Sequence, residues 1–232
     1  MRIAVFGATG MAGSAIVSEA LTRGHHVVAA SRRPATADMA EERLSARTVD
    51  VADPDAVDAV LADVDAAVLT IRLAPGEEDR LAPLTRGVLD AAARHSTRIL
   101  VVGGSAPLRS PNHPDWLLID DPAYVPEAWK AIAQASLDQF HTCKEHSYTG
   151  WVYLSPPAVF EPGDRTGSYQ RGTTTLLTDT DGVSRITPPD FATAVLDELE
   201  QPGDDQHFTI AHVSASCSTP RSARPIPRRS GR

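Results

Sequence analysis

The sequence predicts an α/β protein with a doubly wound, mainly parallel sheet and a small C-terminal elaboration. Three observations carry this. Short apolar runs recur along the chain, stretches of helical periodicity separate them, and the first run opens onto a glycine-spaced turn, Gly7-Ala8-Thr9-Gly10-Met11-Ala12-Gly13. Alternation of that kind buries a parallel sheet between two layers of helices.

The elements follow in order. Residues 2–6 read as a strand, 11–23 as an amphipathic helix and 27–31 as a second strand, which together complete one β-α-β unit. Strand 44–49 comes next, and Asp53-Pro54 marks the start of a helix over 54–62. After strand 66–71, the segment 76–95 places Leu81, Leu84, Val88, Leu89 and Ala92 at helical spacing, and strand 98–103 closes the first half. This is the pattern of a Rossmann-type sheet. Residues 105–125 hold four prolines, Trp116 and the pair Asp120-Asp121, and read as a long loop at the carboxyl edge of the sheet, where such folds bind ligands. Helix 126–144 and strand 150–154 follow, then a segment rich in proline and glycine, 155–172, read as a second wall of the same cleft. A short strand at 183–186, a helix at 188–200 and a strand at 207–212 finish a single domain spanning 1–213.

Composition narrows the function. The hydrophobic fraction of 42% is that of a globular chain, and no apolar run approaches the ~20 residues that span a bilayer. No signal segment precedes the first strand, so the expected location is cytoplasmic, without a membrane partner. Cys143 and Cys217 form no C-x-x-C pair, which argues against a disulfide framework or zinc ribbon. The net charge of −8 includes Arg221, Arg224, Arg228, Arg229 and Arg232, all beyond residue 220, so the body is more acidic still and excludes nucleic-acid binding through the folded domain. The tail 214–232 reads as disordered and solvated. The scattered histidines lack metal-ligand spacing, and Asp120-Asp121, alternating in direction in an extended loop, reads as solvated; no metal site is expected.

The glycine turn implies a nucleotide. Gly7 permits the sharp exit from the strand, Gly10 lets the main chain approach a pyrophosphate, and Gly13 lets the helix pack closely, with Thr9 and Met11 adding contacts. At the end of the second strand stand Ser31, Arg32 and Arg33, with no carboxylate to take the ribose hydroxyls. Two guanidiniums there suit a 2′-phosphate, which favours NADP(H), with NAD(H) as the alternative. Asp50 and Val51 are placed to meet the adenine edge, and Thr70, Ile71 and Arg72 to run beneath the adenosine and pyrophosphate.

The turn, the ending Ser31-Arg32-Arg33-Pro34, the run Val101-Val102-Gly103-Gly104-Ser105 and Tyr153-Leu154-Ser155-Pro156-Pro157 stand in an order that resembles the atypical short-chain dehydrogenase/reductase-like proteins. Within them the chain is most similar to the NmrA-like, NAD(P)H-binding group that includes NADH-flavin and flavin/biliverdin reductases. The similarity runs from residue 1 to about residue 212. It implies that Gly104, Ser155 and Pro156 meet the nicotinamide end, and that Ser105 holds the place of a catalytic or substrate-orienting serine.

The chain departs from the wider family at the general acid. Tyr124 is followed four residues later by Ala128 and Tyr148 by Val152, so the Tyr-x-x-x-Lys pair is missing, and Trp129-Lys130 is the nearest substitute. Lys130 is a candidate to orient the nicotinamide ribose or neutralise a substrate anion, and Trp116 to form an apolar wall with Trp129, Tyr153 and Phe160, although core packing also explains Tyr153 and Trp129. Hydride transfer to a flavin-like or quinone-like ring needs no tyrosine, because the ring delocalises charge and water delivers the proton. The expected function is therefore an NADPH-dependent reductase of a small conjugated acceptor. An epimerase, dehydratase or biosynthetic tailoring enzyme is one alternative; an NmrA-like sensor that binds NADP(H) without catalysis is the other.

Overall fold

The first strand decides how the molecule is layered. Along β1 (Arg2–Phe6), Ile3 and Val5 belong to one core cluster and Ala4 and Phe6 to the other, as the two-residue period of a strand requires. A computed structural model describes residues 1–33 and 42–212; Pro34, Cys217 and the expected tail 214–232 lie outside them. After β1 come α1 (Met11–Thr22), β2 (His26–Ser31), β3 (Leu44–Thr48), α2 (Pro54–Leu61), β4 (Ala66–Leu69), α3 (Leu81–His95) and β5 (Arg98–Val102). The second half runs through α4 (Lys130–Glu145), β6 (Trp151–Ser155), β7 (Val159–Phe160), β8 (Tyr169–Gly172), β9 (Arg185–Ile186), α5 (Pro188–Glu200) and β10 (His207–His212).

Eight strands form one sheet in the order β3-β2-β1-β4-β5-β6-β10-β8, parallel throughout except for the β10–β8 pair. β7 and β9 pair with each other. The Rossmann-like, mainly parallel sheet is as the sequence predicts. α1 and α5 cover the face of Ile3 and Val5, burying Ile16, Phe191 and Val195, while α2, α3 and α4 cover the other with Leu61, Leu89 and Cys143. Each such side chain taken fully from water contributes about 1.5–3 kcal/mol. The strand order reverses at β1, with β2 on one side and β4 on the other, which opens a crevice at their carboxyl ends.

Several boundaries differ from the sequence reading. The helix expected from Gly76 begins at Leu81, after a 3-10 turn at Glu78–Arg80, because Gly76 sits at φ +90°, outside helical space. The helix expected from Pro126 likewise opens with a 3-10 turn, Glu127–Trp129. β4 stops at Leu69, two residues early. The segment 155–172 contains β7 and β8, and its middle is fastened to α1 and α5: Arg165 pairs with Glu19, and buried Asp190 accepts from the Thr166 and Gly167 N–H groups, both at 2.9 Å. Burial alone would raise the Asp190 pKa, but these bonds and those from the Thr166 and Thr187 hydroxyls outweigh it and hold the carboxyl below its ordinary value.

Candidate functional site

The three glycines of the first turn do different work. Gly7 adopts φ +88°, and a Cβ there would lie 2.1 Å from the Thr70 carbonyl oxygen. Its N–H donates to the Ala30 carbonyl at 2.9 Å, so the turn is riveted to the ends of both β2 and β4. A Cβ on Gly13 would lie 2.1 Å from the Gly7 carbonyl; the close packing expected of Gly13 is thus against the turn itself. Gly10 is different. Its φ is an ordinary −76°, and an added Cβ would meet nothing nearer than 3.3 Å. Packing therefore constrains Gly10 far less than Gly7 or Gly13, although an added Cβ would still press on the Gly7 carbonyl.

Gly10 is also the N-cap of α1, with no side chain capping the helix and no acidic residue in its first turn. Thr9, Gly10 and Met11 are exposed beside these N–H groups. An uncapped positive helix end behind an open glycine fits a pyrophosphate. At the end of β2 the Ser31 hydroxyl donates to the Arg33 carbonyl, curling the chain so that Arg32 and Arg33 stand exposed at the carboxyl edge. Asp50 is exposed and Val51 half-buried in the turn after β3, where the Asp50 carboxylate accepts from the Ala52 N–H at 3.0 Å. Beyond β4, Thr70 and Ile71 are half-buried and Arg72 is exposed.

The far side of the crevice is set by Tyr153. This side chain is fully buried, and its hydroxyl donates to the Ser136 carbonyl at 2.9 Å, with the Gln139 amide oxygen at 3.3 Å. Burial drives its pKa well above the ordinary phenol value. A Cβ on Gly103 would fall within the Tyr153 ring, and one on Gly104 would lie 2.6 Å from the Ser136 hydroxyl. The glycine pair therefore lets the chain pass over α4, and the Gly104 N–H turns toward the Tyr153 oxygen at 3.4 Å. Ser105 follows, half-buried, its hydroxyl without a hydrogen-bond partner among the described residues. At the end of β6 the Ser155 side chain is buried away from the cleft, 2.9 Å from His207 Nε2, so only its main chain and the half-buried Pro156 are available to a ligand. Burial, reinforced by the nearby Lys144 ammonium, pushes His207 down to about 4 and keeps it neutral.

The expected aromatic wall divides. Tyr153 is core and Phe160 packs on Phe191, its ring centroid 4.8 Å away, whereas Trp129 is 58% exposed, contrary to a core role. Trp116 is also exposed, stacked on His113 at 4.4 Å in a turn organised by Ser110 and Asp121. Asp121 is not solvated. It is 3% exposed and accepts from the Ser110 hydroxyl at 2.7 Å and the Ala123 N–H at 2.9 Å, and the first of these bonds is the main cause of its lowered pKa. Lys130 donates to the Ile119 carbonyl. Tyr153, His207 and Asp121 were not legible as organisers. The only sequence signal for Tyr153 is Gly103-Gly104 after an apolar strand, which states that something large lies beneath without saying what.

A family model described as NAD(P)H-binding matches residues 7–202. The chain belongs to that family. This NAD(P)H-binding protein has relatives along nearly its whole length. It is 33% identical over 217 residues to the Bacillus subtilis (strain 168) "Uncharacterized protein YwnB", covering 90% of this chain and 98% of the relative. A "putative epimerase" from Bacteroides thetaiotaomicron superimposes with a TM-score of 0.83 at 32% identity, over 93% of this chain and 98% of that one. A "putative NADH-flavin reductase" from Streptococcus pneumoniae TIGR4 does so with a TM-score of 0.81 at 28% identity, over 91% and 99%. The NAD(P)H-binding family and the Streptococcus neighbour's name are oxidoreductase-like. No helix of the described residues is long and apolar enough to cross a membrane.

Proposed function

We propose that this NAD(P)H-binding protein is a reductase that uses NADPH to reduce a conjugated small molecule, flavin-like or quinone-like. One observation carries the reading: three of the four tyrosines spend their hydroxyl proton on other groups, and none has a lysine one helical turn further on. Tyr148 donates to the Thr97 carbonyl at 2.9 Å, Tyr153 to Ser136 at 2.9 Å, and Tyr169 to Asp197 at 2.7 Å, while Tyr124 takes a hydrogen bond from Asn112. Without a phenol acid next to an ammonium, a simple carbonyl lacks its proton donor. A conjugated ring spreads the added charge and takes its proton from water, so alignment is the main requirement.

When bound, NADPH supplies a hydride from its nicotinamide ring. The turn at Gly7, Thr9, Gly10, Met11 and Gly13 holds the pyrophosphate on the α1 N–H groups, and Arg32 and Arg33 hold the 2′-phosphate. Asp50 and Val51 border the adenine, and Thr70, Ile71 and Arg72 floor the adenosine. Main-chain groups of Gly104, Ser155 and Pro156 meet the nicotinamide end. Ser105 orients the acceptor's oxygen, Trp116 covers the ring, and Lys130 draws an anionic substituent. The Streptococcus neighbour's name supports this reading. The Bacteroides neighbour's name favours a second, an epimerase in which a bound coenzyme would take up and return the substrate's hydride with no net consumption.

Loss of NADPH absorbance with purified protein decides between them. Consumption that requires riboflavin, FMN or a quinone is the expected result. Tight NADPH binding with no consumption by any acceptor overturns it, and favours internal redox or a coenzyme sensor.

A further inference from the structure

Between the loop turn at 117–120 and the first two turns of α4 lies a groove of about 450 Å³, within the range of small-molecule sites. Leu117, Ile119 and Leu137 supply its apolar surface, and Lys130, Gln134 and Asp120 its polar groups. It adjoins the crevice, because Ala106, the residue after Ser105, packs in one cluster with Ile119 and Leu137.

The charge at the head of α4 is unusual. Lys130 is the first residue of the helix, where the macrodipole is positive and an ammonium is disfavoured. No acidic residue lies in that first turn and no side chain caps it. The ammonium is held by a neutral acceptor, the Ile119 carbonyl, and among the described residues it forms no ion pair. Asp120 and Glu127, the neighbouring carboxylates, are both exposed. A half-buried cation on a positive helix end, above an apolar floor, is an arrangement completed by an anion with an apolar body.

We infer that this groove is an anion-anchoring acceptor subsite: the Lys130 ammonium binds a phosphate or carboxylate carried by the conjugated acceptor, whose ring lies on Leu117, Ile119 and Leu137 toward Ser105. The inference rests on the reductase reading for the word acceptor; the anion site itself does not. Gln134, one turn along α4, lines the same groove; its side-chain N–H donates to Asp138 at 2.8 Å, which leaves its amide oxygen to accept from a polar substituent. Lys130 thus sets specificity.

Riboflavin and FMN differ only by a phosphate and are the probes. Titration of the coenzyme-free full chain by flavin anisotropy, and NADPH oxidation with each flavin, are compared for wild type, Lys130→Gln, Lys130→Arg and Gln134→Glu. The expected preference for FMN over riboflavin is about tenfold, one charge-assisted contact. It falls toward unity in Lys130→Gln, persists in Lys130→Arg, and falls in Gln134→Glu as well, because a carboxylate four residues along the helix competes for the Lys130 ammonium. FMN binding that depends on Lys130 without any NADPH consumption upholds the anion site and removes the reductase reading. Consumption with equal parameters for both flavins does the reverse. Binding of neither flavin overturns the subsite.

Discussion

The turn after β1 and the loop after β5 stand at the same edge of the sheet but keep their shapes by opposite means. In the turn, backbone rests on backbone: Gly7 against Thr70, Gly13 against Gly7, and the Gly7 N–H on Ala30. In the loop, side chains do the holding, with Ser110 on Asp121, Lys130 on Ile119 and His113 on Trp116. A binding surface made of main chain tolerates no added carbon, whereas one made of side chains is free to vary its chemistry. The glycine turn is constrained and the loop is adjustable.

The sharpest way to break this comparison is within the turn. Gly7→Ala combines a strained φ with a backbone clash and is expected to cost about 3 kcal/mol or more in urea unfolding of the coenzyme-free protein. Gly10→Ala, with an ordinary φ and a Cβ only lightly pressed on the Gly7 carbonyl at 3.3 Å, is expected to cost no more than about 1 kcal/mol in unfolding while weakening NADPH binding at least about tenfold. Equal destabilisation by both would show that Gly10 serves packing.

A second test addresses the wall behind the ends of β5 and β6. His207 has its pKa lowered to about 4 in the folded protein, so its neutral form contributes stability that is fully present above its unfolded value near 6.5. That stability is lost as pH falls from there through about 4, to a total on the order of 2–3 kcal/mol. His207→Gln should flatten this part of the stability profile. An unaltered slope would place the acid sensitivity elsewhere.

Smaller effects sharpen the coenzyme side. Replacing Arg32 and Arg33 together by alanine is expected to raise the NADPH dissociation constant about tenfold and leave NADH within about twofold, the modest size reflecting their exposure to solvent. Smallest of all, Tyr153→Phe should cost about 1 kcal/mol of stability through the lost hydrogen bond to Ser136. It should change kcat for an acceptor by no more than about twofold. A hundredfold fall would make this phenol an acid after all.

The legible parts of the molecule are those that local spacing encodes. The span of α5, 188–200, and that of β10, 207–212, follow from Pro188 at a helix start and from an apolar run, and both agree with the structure to the residue. The glycine turn is legible because its partners, β1 and α1, adjoin it in sequence. Gly76 misled because its φ of +90° depends on the turn it enters and not on the apolar spacing behind it. Asp121 misled more deeply: its partner Ser110 is eleven residues away in a loop with no period, so nothing local distinguished an organising carboxylate from a solvated one. Arg165 and Glu19, 146 residues apart, are beyond any local rule.

That last pairing has a temporal side. α1 is packed against α5, and Arg23 near the start of the chain bonds Asp197 and Glu200, both at 2.8 Å. During synthesis the phosphate turn and its helix emerge long before the helix that shelters them, and closing so long a loop is slow. The nascent N-terminal unit then has Ile16 and Ala20 packed on its own strands but lacks Phe191 and Val195 over them, so its core is completed only after α5 has emerged.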